Sequence, residues 1–161
     1  MKNNFRIGTG FDIHKFSAKR PLMLGGVNIP GEKGLLGHSD GDALLHAICD
    51  AILGALGAGD IGEHFPDVDP RYKGAASSIF LRKARQVMEK KGYTIGNIDC
   101  NVITERPKII KYREAIVKSV SDILGISKDQ VSVKGRTAEK MGAIGKGEAL
   151  MVQAVVLLVR K

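Results

Sequence analysis

Tryptophan is absent, and aromatic residues make up only 5% of the 161 residues. A platform that stacks the bases of a single strand needs such rings, so their scarcity argues against that use. Cysteine is nearly absent too: Cys49 and Cys100 stand far apart, without a C-x-x-C partner. This points to reduced, buried thiols in a cytosolic protein. No apolar run approaches the roughly 18 residues of a membrane span. The start, MKNNFRIGTG, has no apolar signal region, so a cytoplasmic location without a secretory signal is expected. No repeat, low-complexity tract or linker interrupts the chain, and one domain over residues 1–161 is expected, long enough to bury a core.

Hydrophobic residues at 43% and charged residues at 26% are ordinary for a globular chain. The net charge of +8 is less so. Three readings fit it: a nucleic-acid surface, a lysine-rich solvated surface, or a small substrate rich in phosphate. The cations of the second half, from Lys83 to Arg136, are spread out and form no compact basic arm.

Hydrophobic spacing organises the chain. FRIGTGFDIH reads as a strand, and LMLGGVNIPG as a short hairpin broken at Gly25-Gly26. In HSDGDALLHAICDAILGALG, Leu44, Leu45, Ile48, Ile52, Leu53 and Leu56 recur at helical spacing, with Gly57 and Gly59 as stops. A long Gly/Pro/Asp loop, AGDIGEHFPDVDPRYKGA, follows; a loop of that length is usually functional or mobile. ASSIFLRKARQVMEKKG predicts a second helix, ending at Gly92. TIGNIDCNVITE alternates as a strand, and Pro107 opens a third predicted helix. DQVSVKGRT is a further strand. EALMVQAVVLLVRK is apolar on both faces and belongs in the sheet centre. The expectation is an α+β fold: a single mixed β-sheet, ferredoxin-like in character, with helices packed on one face.

GTGFDI is a decoy for a dinucleotide loop. Ile13 stands where the third glycine belongs, and no helix is signalled after it. GKGE at 145–148 is likewise no Walker A loop. More telling are Asp12 and His14. Alternate residues of a strand share a face, and two polar groups facing a dry core need a partner such as a divalent metal. A solvated strand end is the other reading. His38, Asp42, His46 and Asp50 recur at intervals of four, which places acid and imidazole along one side of the helix. A solvated polar face is the alternative there. Asp12, His14 and His46 make a two-His, one-carboxylate set, suited to zinc with one open position. Asp50 is either an outer acceptor orienting His46 or the acceptor of a local helix bond. Ser39 and Asp40 read as N-cap residues. His38, just ahead of the helix, is a loop histidine or a phosphate contact at the helix N-terminus. Glu139, among Arg136, Thr137 and Lys140, is a surface residue or a Mg²⁺ ligand at a phosphate site.

GFDIH, HSDGDALLHA, GDIGEHFPDVDP and TAEKMG, in this order and spacing, resemble the 2-C-methyl-D-erythritol 2,4-cyclodiphosphate synthase family over nearly the whole chain. The resemblance implies a homotrimer with sites between subunits and a metal-dependent, cyclising phosphorus–oxygen lyase. Its substrate would be 4-diphosphocytidyl-2-C-methyl-D-erythritol 2-phosphate, and CMP the leaving group. Zinc, one ion per subunit, would be held by Asp12, His14 and His46. Glu139 would hold a Mg²⁺ or Mn²⁺ bridging the diphosphate, with His38 and Thr137 stabilising the transition state. Asp60 and Gly62, with Ser39 and Ile61 beside them, would contact the methylerythritol part. Phe65, Pro66, Asp67, Val68 and Asp69 would form a flap. The cytidine pocket, supplied by the adjacent subunit, would comprise Thr104, Glu105, Arg106, Pro107, Lys108, Ile109 and Ile110, together with Arg136 and Ala138.

The chain departs from the family pattern in places. Arg136-Thr137-Ala138 replaces a threonine-rich run, and Ala143 and Lys146 stand where an aromatic and an arginine are common. Gln153 occupies a position that is acidic in some relatives, beside the cavity on the threefold axis. Neither nucleic acid nor a membrane is an expected partner. A zinc phosphohydrolase on the same ligands, or a basic nucleotide- or RNA-binding module, are the competing readings.

Overall fold

The computed structural model describes residues 4–66 and 68–161. Strand β1 (Phe5–Leu24) runs through the predicted first strand without a break and makes two sets of partners. From Phe5 to Lys15 it pairs antiparallel with the last strand, Ala149–Arg160. From Phe16 onward it pairs with β2 (Val27–Leu35). Gly25 and Gly26 close that hairpin with φ of 62° and 76°, the left-handed values a two-residue turn requires. Next come helix α1 (Ala43–Ala55), the short helix α2 (Ile61–His64) and helix α3 (Ser78–Lys90). Strand β3 (Tyr93–Ile103), helix α4 (Arg113–Leu124), strand β4 (Val131–Arg136), the single turn α5 (Gly142–Gly145) and β5 (Ala149–Arg160) complete the chain.

The sheet order is β2-β1-β5-β3-β4, so the doubly apolar last strand is central, as its composition predicts. Leu150, Val152, Ala154, Val156 and Leu158 are buried under the helices. On β3 the predicted alternation holds: Ile98, Cys100 and Val102 point inward. The sheet is mixed, but ferredoxin-like character is not found. Two split β-α-β units would be needed. Here β5 separates β1 from β3, whereas α4 leads from β3 directly to its parallel neighbour β4.

Two helical expectations need correction. Pro107 does not open α4. A 3₁₀ turn at Ile109–Lys111 intervenes, because Ile109 is buried, packed over Gly135. Nor does the line of acid and imidazole on α1 begin at His38 and Asp42: the unburied stripe is His46, Asp50 and Gly54, at intervals of four, because the helix lies between β1 and β5 on one side and α3 on the other.

The glycines of the GTG run set that packing. A Cβ at Gly10 would lie 1.8 Å from the Ala47 carbonyl oxygen, and one at Gly8 1.9 Å from that of Ala51. These positions let α1 rest directly on the strand backbone. His46, beside Ala47, is thereby brought over Asp12, two residues beyond Gly10.

Among the described residues no helix covers the opposite sheet face. Phe5, Ile7, Phe11 and Ile13 are exposed there beside Val155. Among the described residues no helix is long and apolar enough to cross a membrane. Both cysteines are unpaired and buried, and burial pushes the Cys100 thiol up to about 12 and that of Cys49 higher still.

Candidate metal centre and substrate cavities

Asp12 and His14 project from the helix-covered face of β1, and His46 from α1. Asp12 Oδ2 lies 2.9 Å from His14 Nε2 and 3.0 Å from His46 Nδ1. One donor atom from each residue falls within 4.8 Å of the others. A tetrahedral zinc site with bonds of ~2.0 Å has edges of about 3.4 Å, so small movements would seat an ion. The outer ring nitrogens are already engaged. His14 Nδ1 meets the Leu36 carbonyl at 2.5 Å, and His46 Nε2 meets the hydroxyls of Ser77 at 2.8 Å and Ser39 at 3.1 Å. Each imidazole therefore turns its inner nitrogen toward the carboxylate, the arrangement a metal-binding histidine needs. The donor set fits zinc.

The charges agree with this geometry. Burial alone would raise the Asp12 carboxyl, but hydrogen bonds from His14 and His46, with their charge, outweigh it and hold the group at about 2. The Asp12 hydrogen bond raises His14 above its ordinary value of 6.5 against the effect of burial. Below that raised value a proton occupies Nε2, which zinc must displace; above it the ring is neutral and ready. Zinc affinity is therefore expected to fall by up to about tenfold per pH unit on the acid side and to level off on the alkaline side. Calorimetric titration with zinc in buffers of different ionisation enthalpy should show more protons released at about pH 6 than at about pH 8. Equal release at both would contradict the assignment.

A cavity of about 250 Å³ opens over the triad, lined also by Gly37, His38, Ser39, Ile61, Gly62 and Phe65. His38 Nε2 lies 3.4 Å from the Asp69 carbonyl, and Gly74 N–H donates to the His38 carbonyl at 2.8 Å. The Phe65 ring is buried, its centroid 4.6 Å from Phe80 and 5.4 Å from Tyr72. Val68 is 91% exposed, and Asp67 lies outside the described residues. Pro66 is exposed, while Asp69 accepts from Arg71. Asp60 does not line the cavity; its carboxylate caps α2 by accepting from Glu63 N–H at 2.9 Å.

Three other sequence readings change. Ser39 does not cap α1. Its hydroxyl is engaged with His46, Ser77 and the Gly41 N–H. Asp42 is the cap, fully buried, accepting from the N–H groups of Leu45, Gly25 and Gly26. It ties the hairpin turn to the helix start, so it is no member of a polar ladder. Asp50 does not orient His46. It accepts from Ile61 N–H at 2.7 Å and fixes the start of α2.

The remaining candidates lie in other cavities. One of about 370 Å³ is lined by Thr104, Pro107, Lys108, Ile109, Ile110 and Arg136, with Thr137 at its edge. Thr137 Oγ1 donates to Glu139 Oε1 at 2.5 Å, and Glu139 and Lys140 hold left-handed backbone, φ 49° and 63°. Such strain in side-chain-bearing residues is characteristic of functional loops. The Thr104 hydroxyl turns back to the Arg106 carbonyl. Ala138 N–H donates to Glu105 at 3.1 Å. Glu105, Arg106 and Lys146 line a third cavity of about 780 Å³, and Ala143 is exposed on α5. Within one chain, then, the triad and the Thr104–Thr137 pocket are separate. Sequence reasoning missed Ser77, Tyr72 and Phe80. Ser77 carries only the signal of a serine ahead of a helix, which reads as a cap.

Comparison with known proteins agrees with this arrangement. The YgbB family model matches residues 5–159. The 2-C-methyl-D-erythritol 2,4-cyclodiphosphate synthase of Bacillus cytotoxicus is 52% identical over 157 residues, 98% of this chain and 99% of the relative. A solved Plasmodium falciparum IspF in complex with CDP superposes with a TM-score of 0.88 at 47% identity, covering 100% of this chain and 99% of that one. The bifunctional IspDF of Campylobacter jejuni matches at a TM-score of 0.94 and 40% identity, over 98% of this chain and 42% of the longer protein.

Proposed function

Because the chain belongs to the YgbB family, we infer that it converts 4-diphosphocytidyl-2-C-methyl-D-erythritol 2-phosphate to 2-C-methyl-D-erythritol 2,4-cyclodiphosphate, releasing CMP in the non-mevalonate route to isoprenoid precursors. The observation that carries this reading is the Asp12–His14–His46 cluster at the floor of a cavity. An oxygen of the 2-phosphate attacks the β-phosphorus, the bond from that phosphorus to the α-phosphate oxygen breaks, and CMP leaves with the electron pair. The nucleophile is already ionised, so no strong base is required. The demands are to screen anionic repulsion, to hold the ends together and to exclude water.

Asp12, His14 and His46 would hold zinc, which would supply Lewis-acid polarisation of a phosphate oxygen. Glu139, an exposed hard oxygen donor beside the Thr137 hydroxyl, suits a Mg²⁺ or Mn²⁺ shared with the diphosphate. His38 and Thr137 would donate hydrogen bonds to phosphoryl oxygens as charge builds there. Ile61 and Gly62 line the side of the cavity assigned to the methylerythritol part, and the flap from Phe65 to Asp69 would close over it. Lys108, Ile109, Ile110 and Arg136 would hold the cytidine. The +8 charge favours a substrate carrying three phosphates.

A homotrimer completes this site. Two features support it: the triad and the cytidine pocket are separate within one chain, and the apolar sheet face of Phe5, Ile7, Phe11 and Val155 lacks a covering layer. Gln153 lies on that face opposite Phe11, where an axial cavity would run. Unpaired, buried thiols suit a cytoplasmic enzyme. Running the reaction in ¹⁸O-labelled water tests the function. Cyclic product and CMP without label are expected. Labelled, linear phosphates would indicate the zinc phosphohydrolase instead.

A further inference from the structure

We propose that Asp40 and Ser77 are positioning residues for the metal centre: Asp40 holds the Ser77 hydroxyl so that it accepts from His46 Nε2–H, leaving Nδ1 as the zinc donor. This rests on the metal site of the proposed function, but neither residue touches the ion.

Bond directions carry the argument. Ser77 Oγ is within hydrogen-bond reach of Asp40 Oδ1, and Asp40 Oδ2 accepts from Ser77 N–H at 3.1 Å. A carboxylate only accepts, so the single hydroxyl proton of Ser77 goes to Asp40. The Ser77 oxygen, 2.8 Å from His46 Nε2, then has lone pairs to offer and no proton, and the ring must carry its proton on Nε2. Nδ1, 3.0 Å from Asp12 Oδ2, is the nitrogen turned to the cluster; the proton it shares with the carboxylate in the metal-free centre is the one zinc would displace.

The surroundings reinforce this placement. Ser77 is fully buried, so no water competes for its hydroxyl. It stands at the N-cap of α3, yet its side chain makes no capping bond. A buried N-cap serine that forgoes capping has its hydroxyl committed elsewhere, here to Asp40 and His46. Asp40 N–H donates to the Ala75 carbonyl at 3.0 Å, so the strand of loop ahead of α3 is fixed to the loop ahead of α1. The metal ligand on α1 is thus oriented by the segment on which the flap ends.

The test uses the full-length protein and zinc alone, with affinity read by chelator competition and the His46 Nε2–H by ¹H–¹⁵N correlation of the zinc-bound ring. Circular dichroism and thermal melting identify any variant that has lost its fold. Ser77→Ala with Ser39→Ala removes both acceptors, and Asp40→Ala removes the group that orients the hydroxyl. Each is expected to weaken zinc binding by about 10- to 100-fold and to shift or lose the Nε2–H signal of the zinc-bound ring. Ser77→Ala alone should have a smaller effect, since Ser39 Oγ remains 3.1 Å from the ring. Folded variants with wild-type zinc affinity and an unchanged Nε2–H signal would overturn the relay. If the unaltered protein took up no zinc, the metal site itself would fall, an outcome distinct from failure of the relay.

Discussion

Replacing His46 with alanine is expected to abolish stoichiometric zinc binding and to lower the rate of CMP release by at least about 10³-fold. A Lewis acid at a phosphoryl oxygen contributes several kcal/mol, and each 1.4 kcal/mol is about a factor of ten. The fold should survive. The ring is partly exposed at the cavity edge, and most of the packing of α1 comes from its apolar residues, Leu44, Leu45, Ile48, Ile52 and Leu53. Metal analysis, far-UV circular dichroism and product assay on one preparation separate the two properties. A folded His46→Ala protein that still turned over at the parent rate would remove the triad from the mechanism.

A second substitution should injure both properties together. In Gly10→Ala the new methyl would sit 1.8 Å from the Ala47 carbonyl oxygen, a backbone atom on a packed helix. No rotamer relieves that contact, so α1 must lift from β1 or the strand must bend. About 3 kcal/mol of stability is expected to be lost, a fall in Tm of about 10 °C for a chain of this size. Because His46 rides on the same turn, zinc affinity should fall as well, although no ligand has been altered. Thermal melting with and without zinc checks this. An unchanged Tm and affinity would mean that the approach of helix to strand does not set the metal geometry.

The two substitutions bear on what was legible in the sequence. Asp12 and His14 could be paired because a strand has a side-chain period of two, and His46 joined them because metal chemistry selects imidazole and carboxylate. The role of Gly8 and Gly10 was not legible. A glycine that admits a helix looks the same on paper as one that admits a phosphate. The interval-of-four pattern held for His46 and Asp50, which share a face of α1, but it reports neither where the helix begins nor what a carboxylate on that face accepts from. Asp42 sits at the cap and is drawn inward by three N–H groups, and Asp50 turns to Ile61. Pro107 fits the first turn of a helix or a loop equally well, and burial of Ile109 decides for the loop. The Asp40–Ser77 contact joins residues 37 positions apart, a separation that no local periodicity reports.

The sulfur atoms have a consequence of their own. Peroxide oxidation of cysteine and disulfide exchange both act through a thiolate. With Cys100 pushed up to about 12 and Cys49 further still, neither carries that charge near neutrality. The donors offered to metal and phosphate are then oxygen and nitrogen alone. Thiol oxidation and thiol–disulfide exchange at Cys49 and Cys100 therefore give no route to the Asp12, His14 and His46 cluster near neutral pH.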